Sequence, residues 1–115
     1  MNMNKLIKTL LWLTIATVII TIFSESSPLY KLNPWSDANI YLTIGRNLLN
    51  GGKLYTDLFD HKDPILYFIY TVASCISSTS FFGVYLLEII CMYFFLYYIK
   101  KILYLFTTKK HIIAI

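Results

Sequence analysis

The stretch "LIKTLLWLTIATVIITIF", Leu6 to Phe23, decides what kind of chain this is. Lys8 is its only charge and sits near one end, where a long side chain can snorkel toward water. Its length compares with the about 20 residues of helix that cross the hydrocarbon of a bilayer. A basic start before an apolar run is also how a secretory signal peptide reads. Here the run outlasts a usual signal core, and the following "SESSPL" offers no small-x-small cleavage site. The reading is therefore an uncleaved first transmembrane helix. Composition agrees: the chain of 115 residues is 57% hydrophobic and 14% charged, against about 25% charged in a soluble domain.

Two further apolar blocks follow, "PILYFIYTVASCISS" from Pro64 and "FFGVYLLEIICMYFFLYYI" from Phe81 to Ile99. The expected architecture is all-α, a polytopic membrane protein with about three transmembrane helices (6–23, 64–79 and 81–99) and one interfacial helix. Residues 24–63 form the loop between the first two spans. The final "KKILYLFTTKKHIIAI" opens a new apolar run. The whole chain, 1–115, is thus expected to be the N-terminal fragment of a larger protein, inactive alone. The formal charge of +4 does not point to nucleic acid. Its lysines sit at segment ends (Lys5, Lys8, Lys100, Lys101, Lys109, Lys110), as interfacial anchors do. Cys75 and Cys91 lie within apolar blocks and read as small buried packing residues.

The loop has another character. "SDANIYLTIGRNLLNGG" reads as a short amphipathic helix with Ser36 or Asp37 as N-cap and Gly51 and Gly52 as its stop. Ile40, Tyr41, Ile44 and Leu48 share its apolar face, which suits a helix lying along a membrane surface. Tyr30, Trp35, Tyr41 and Tyr55 fit an aromatic belt at that depth. Next, "YTDLFDHKDP" gathers Asp57, Asp60, His61, Lys62 and Asp63 at the lip of the second apolar block. Lysine and histidine at a membrane surface can bind a phosphate through charge-assisted hydrogen bonds. A carboxylate nearby can act as general base toward a hydroxyl or amine. Solvation of a loop returning to the bilayer explains the same charges, and spacing alone does not separate the two. Asp37 has a similar double reading, as helix cap or as reactive carboxylate. Glu88, inside the third apolar block, is a functional candidate by its position.

Residues Pro34 to Tyr70, with the aspartate of "WSDANIY" and the "GGKLYTDLFDHKDPILY" that follows, resemble the first extracytoplasmic loop of bacterial GT-C fold glycosyltransferases. These are the family 39-like, or protein-mannosyltransferase-like, enzymes. The resemblance implies transfer of a sugar from a polyprenyl-phosphate donor to an acceptor at the outer face of the bacterial cell membrane. It implies Asp37 as the catalytic base, Lys62 near the donor phosphate, and His61 and Asp60 bordering the same cavity. It also implies a much longer chain, and Asp63 stands where that motif commonly has glycine or proline. No metal site is expected, since Asp37 alone is too little to build one, and no cofactor is assigned. Membrane lipid and the lipid-linked sugar donor are the expected partners. The implied orientation puts the N-terminus in the cytoplasm, although Lys31, Arg46, Lys53 and Lys62 in the loop outnumber Lys5 and Lys8 before it. The competing class is a small non-enzymatic membrane protein that assembles with other membrane helices.

Overall fold

The computed structural model describes residues 3–58 and 60–106. Four helices make the fold: α1 (Met3–Phe23), α2 (Ser36–Leu49), α3 (Pro64–Ile76) and α4 (Phe82–Phe106), with no sheet among the described residues. They pack as a row. α2 lies on α3, α3 on α4, and α4 on α1, while α1 meets neither α2 nor α3. α1 and α4 run antiparallel, since the Thr21 and Tyr85 hydroxyls meet near one end of the pair and Trp12 and Lys100 near the other.

Two helices, α1 and α4, are long and apolar enough to cross a membrane. At 1.5 Å per residue they measure roughly 31 and 37 Å, against about 30 Å of hydrocarbon. Most of their apolar surface faces outward. In α1 only Ala16 is buried, so packing within the chain does not account for its hydrophobicity. Its threonines suit such surroundings, because Thr9, Thr14, Thr17 and Thr21 each donate a hydroxyl to the carbonyl four residues back. The polar groups are thereby satisfied inside the helix, as an apolar solvent demands.

The ends of the second and third apolar blocks differ from the sequence reading. The second apolar block is helical only over Pro64–Ile76, about 20 Å at the same rise, and does not reach across a bilayer by itself. Pro64 starts it, as expected of a residue with no N–H to lose. The third block does not stop at Ile99. α4 continues through Lys100 and Lys101 to Phe106, because lysine is a good helix former and nothing there breaks the pattern. The remainder of the last apolar run lies outside the described residues. Glu88 thus belongs to the second turn of α4 rather than to the middle of a span.

The N-cap of α2 is Trp35, so Ser36 and Asp37 already belong to its first turn. Among the described residues no side chain accepts a hydrogen bond from the first-turn N–H groups; asparagines instead fix the approach to the helix. Asn33 Oδ1 accepts the Trp35 N–H at 3.0 Å, and the Asn39 amide donates to the Asn33 and Trp35 carbonyls. The C-terminus behaves as read. Gly51 has φ of 86°, and the Gly51 and Gly52 N–H groups return to the carbonyls of Leu48 and Asn47, the paired bonds of a Schellman ending. The buried face is Ala38, Tyr41, Leu42, Ile44 and Gly45. Tyr41 is therefore core rather than belt, and Ile40 points outward. Cys75 and Cys91 are exposed, not buried.

Glycine sets the two inner crossings. A Cβ at Gly45 would lie 2.6 Å from the Tyr70 carbonyl, and one at Gly83 would overlap the Ala73 carbonyl. Both obstacles are backbone, so a methyl group must push helices apart. Gly45→Ala and Gly83→Ala should each lower stability by about 1–3 kcal/mol, in spite of the roughly 0.5–1 kcal/mol that alanine gains within a helix. Exposed Leu49→Ala is the control. Denaturation in mixed micelles followed by circular dichroism reads this, and unchanged midpoints for both glycine variants would sink the close approach.

Candidate functional site

The charged knot is built on a strained turn. Tyr55 has φ of 64°, a left-handed conformation that costs a side-chain-bearing residue about 1–2 kcal/mol. Local bonds hold it there: Asp57 Oδ2 accepts the Lys53 N–H at 2.7 Å, and the Asp57 N–H donates to the Lys53 carbonyl. The turn aims Tyr55 back at the knot. Its hydroxyl donates to the Lys62 carbonyl at 2.7 Å, and its ring meets Tyr67 edge-on at 6.1 Å.

Tyr67, from the first turn of α3, is fully buried and organises the rest. Its hydroxyl donates to Asp60 Oδ2 at 2.9 Å and accepts the Lys62 N–H at 3.0 Å. Asp60 Oδ1 takes the His61 N–H at 2.8 Å and lies 3.1 Å from His61 Nδ1. Asp60 is nearly covered, whereas the His61 imidazole is 78% exposed. Burial pushes the Asp60 carboxyl pKa up. The hydrogen bonds from His61 and Tyr67, with the charges of His61 and Lys62, outweigh burial and hold it below its ordinary value.

Asp37 joins this cluster through a tyrosine. The Tyr41 hydroxyl, one helical turn on, donates to Asp37 Oδ2 at 3.3 Å, the one hydrogen bond to that carboxylate among the described residues. The Tyr41 ring packs edge-on against Tyr67 at 6.2 Å and Tyr70 at 5.5 Å. Burial and then the charge of Asp37 raise the Tyr41 pKa, while Lys62 pulls it down and Asp60 adds to the rise. Asp37, Asp60 and Lys62 therefore act electrostatically on one hydroxyl. The four site residues expected from sequence converge on the α2–α3 pair. Sequence reasoning missed that Tyr41, Tyr55 and Tyr67 do the converging. Tyr67 lies in the quoted motif, but its apolar neighbours make it read as membrane-facing.

Two neighbouring features stand apart from the knot. A cavity of about 510 Å³ is walled by Arg46, Asn39, Ser26 and Lys31 rather than by Asp37 or Lys62, and the buried Arg46 Nε has no hydrogen-bond partner among the described residues. Glu88 does not enter the site. Ser24 Oγ donates to its Oε2 at 2.5 Å and Ser26 Oγ to its Oε1 at 3.4 Å, which fastens the exit of α1 to α4. Compared with known proteins, the chain matches no family model, no curated protein and no solved structure.

The depressed Asp60 pKa has a sign. A carboxyl held below its unfolded value stabilises the fold above that value, and the contribution disappears as pH falls through the folded pKa. Tyr67→Phe removes one of the bonds that depress it. The stability gap between the parent and Tyr67→Phe should be widest near neutrality and narrow below about pH 4. Chemical denaturation across pH measures it. A gap of constant width would mean that Tyr67 acts on the loop only through the Lys62 N–H.

Proposed function

We propose that the chain is part of an integral membrane glycosyltransferase of the bacterial cell membrane, with α1 and α4 crossing the bilayer and the α2–α3 pair at its outer surface. The observation that carries this reading is the convergence of Asp37 and the Asp60–Lys62 loop on the tyrosine cluster. A carboxylate that can take a proton and a cation that can meet a phosphate are thereby joined within one rigid layer. The resemblance over Pro34 to Tyr70 supplies the reaction class.

In this mechanism an acceptor hydroxyl approaches the half-buried Asp37. Its oxygen attacks the anomeric carbon of the donor sugar as Asp37 takes the proton. The bond between that carbon and the phosphate oxygen breaks, and the electron pair leaves with the polyprenyl phosphate. Lys62 offsets the charge left on that group, which is the usual use of an ammonium in phosphate chemistry. Asp60 and His61 border the site, and Tyr67 fixes the backbone from which Lys62 extends.

A second reading has its own observation. α3 is too short to span and leaves Ile65, Phe68, Ile69, Val72 and Ile76 exposed, a surface suited to packing against helices of another membrane protein. Sugar transfer separates the two. In membranes carrying the full-length protein that contains this chain and a polyprenyl-phosphate sugar, Asp37→Asn should lower turnover by about 10²–10⁴-fold, the usual contribution of a general base. Lys62→Gln should raise the donor KM, with membrane insertion unchanged in both variants. Full transfer by Asp37→Asn would sink the catalytic assignment, and absence of transfer by the full-length parent would favour the assembly reading.

A further inference from the structure

The cavity of about 510 Å³ lies where the segment leaving α1, one side of α2 and the turn entering α4 meet. Glu25, Lys31, Asn39, Arg46, Ser80 and Phe82 are among its walls. Arg46, in the last turn of α2, brings a charged donor there that its own chain leaves unused. Its Nε is buried and has no hydrogen-bond partner among the described residues. A buried donor without a partner is costly, and an acceptor entering the cavity removes that cost. The guanidinium is a planar fork of N–H groups matched to the oxygens of a phosphate or a carboxylate. Lys31 adds a second cation to the same cavity.

Glu25 narrows the choice of ligand. It lines the cavity with Arg46, yet the two form no ion pair with each other. A carboxylate in that wall repels a simple anion. It attracts a ligand whose anion is joined to a cation bearing N–H groups. Depth narrows the choice further. α1 ends at Phe23 and α4 begins at Phe82, so the cavity adjoins the ends of both long apolar helices. Leu32 and Phe82 line it and also expose apolar surface, which suits a headgroup that continues into hydrocarbon. We propose that the cavity binds a phosphoethanolamine group, with its phosphate on Arg46 and Lys31 and its ammonium on Glu25. A phosphatidylethanolamine headgroup and free phosphoethanolamine share this chemistry, and the apolar wall favours the lipid. Phosphatidylcholine carries the same charges, but its quaternary ammonium has no N–H to donate to Glu25. The lipid source rests on the membrane placement of α1 and α4, and the site is independent of sugar transfer.

Short-chain phosphatidylethanolamine and phosphatidylcholine are added at equal concentration to the full chain in micelles of a neutral detergent. Native mass spectrometry then counts each lipid retained on the protein. The ethanolamine lipid should be retained at least about tenfold more, the weight of one hydrogen bond to a charged group. Arg46→Gln should lower its retention by about tenfold or more. Glu25→Gln should keep binding and lose the preference over choline. Circular dichroism confirms folding of both variants. Equal retention of the two lipids by the parent, or retention of neither, overturns the proposal even where a variant fails to fold. So does undiminished retention by folded Arg46→Gln, or a preference that persists in folded Glu25→Gln. Soluble competitors at the concentration of the lipid separate the sources. Displacement by free phosphoethanolamine assigns the cavity to the free zwitterion and removes the lipid, whereas its failure to displace supports the lipid. Displacement by inorganic phosphate, which has no ammonium, overturns the pairing with Glu25.

Discussion

Where α3 crosses its two neighbours there is no room for a side chain. Gly45 brings α2 against the backbone at Tyr70, and Gly83 brings α4 against the carbonyl of Ala73. The short helix is thereby held at backbone distance on two sides, and the buried cluster of Tyr41, Leu42, Ile44, Tyr67, Tyr70, Ala73 and Val84 fills the spaces around the crossings. A wider separation would pull Tyr41 away from Tyr67 and Tyr70. Those ring contacts are what join Asp37, on α2, to the loop that precedes α3. The geometry of the charged residues follows from two missing Cβ atoms, which is a packing constraint rather than an electrostatic one.

The tyrosines convert that packing into chemistry because each has an apolar body and a polar tip. Tyr67 is buried in the core, yet its hydroxyl reaches Asp60 and the Lys62 N–H. Tyr41 behaves likewise toward Asp37. A phenylalanine in either place would preserve most of the packing and lose the polar link. The left-handed turn at Tyr55 shows what the loop gives up for this arrangement, since glycine would adopt that conformation without strain but would reach neither Tyr67 nor the Lys62 carbonyl.

Much of the helical layout was legible in the sequence. Apolar block length located α1 and α4, and Gly51 and Gly52 marked the end of α2 through a property of the backbone. Lys100 and Lys101 looked like a terminus only because charges usually mark one, and the helix passed through them. Ile40 and Tyr41, read on one apolar face, part company because the buried face of α2 is chosen by α3, whose distance depends on Gly45. The site residues Asp37, Asp60, His61 and Lys62 could be picked out as a group by charge and motif. Their connection through Tyr41, Tyr55 and Tyr67 could not, because a tyrosine among apolar neighbours reads as hydrophobic surface until its hydroxyl partner is known.

Charge is divided between the ends of the hairpin, and this bears on orientation. Counting basic residues along the chain left the loop richer than the N-terminus. In three dimensions Lys5 and Lys8 are joined by Lys100 and Lys101 at one end, whereas Lys53 and Lys62 at the other share their loop with Asp57, Asp60 and Asp63. Among the described residues the groove that these four lysines share at the first end is lined by no aspartate or glutamate, so the acidic side chains gather toward the other end. The Asp37–Lys62 cluster lies away from that groove, and the proposed glycosyltransferase reading would put it at the outer surface. Antiparallel packing of α1 on α4 produces this division, because it returns both lysine pairs to the same end of the helix pair.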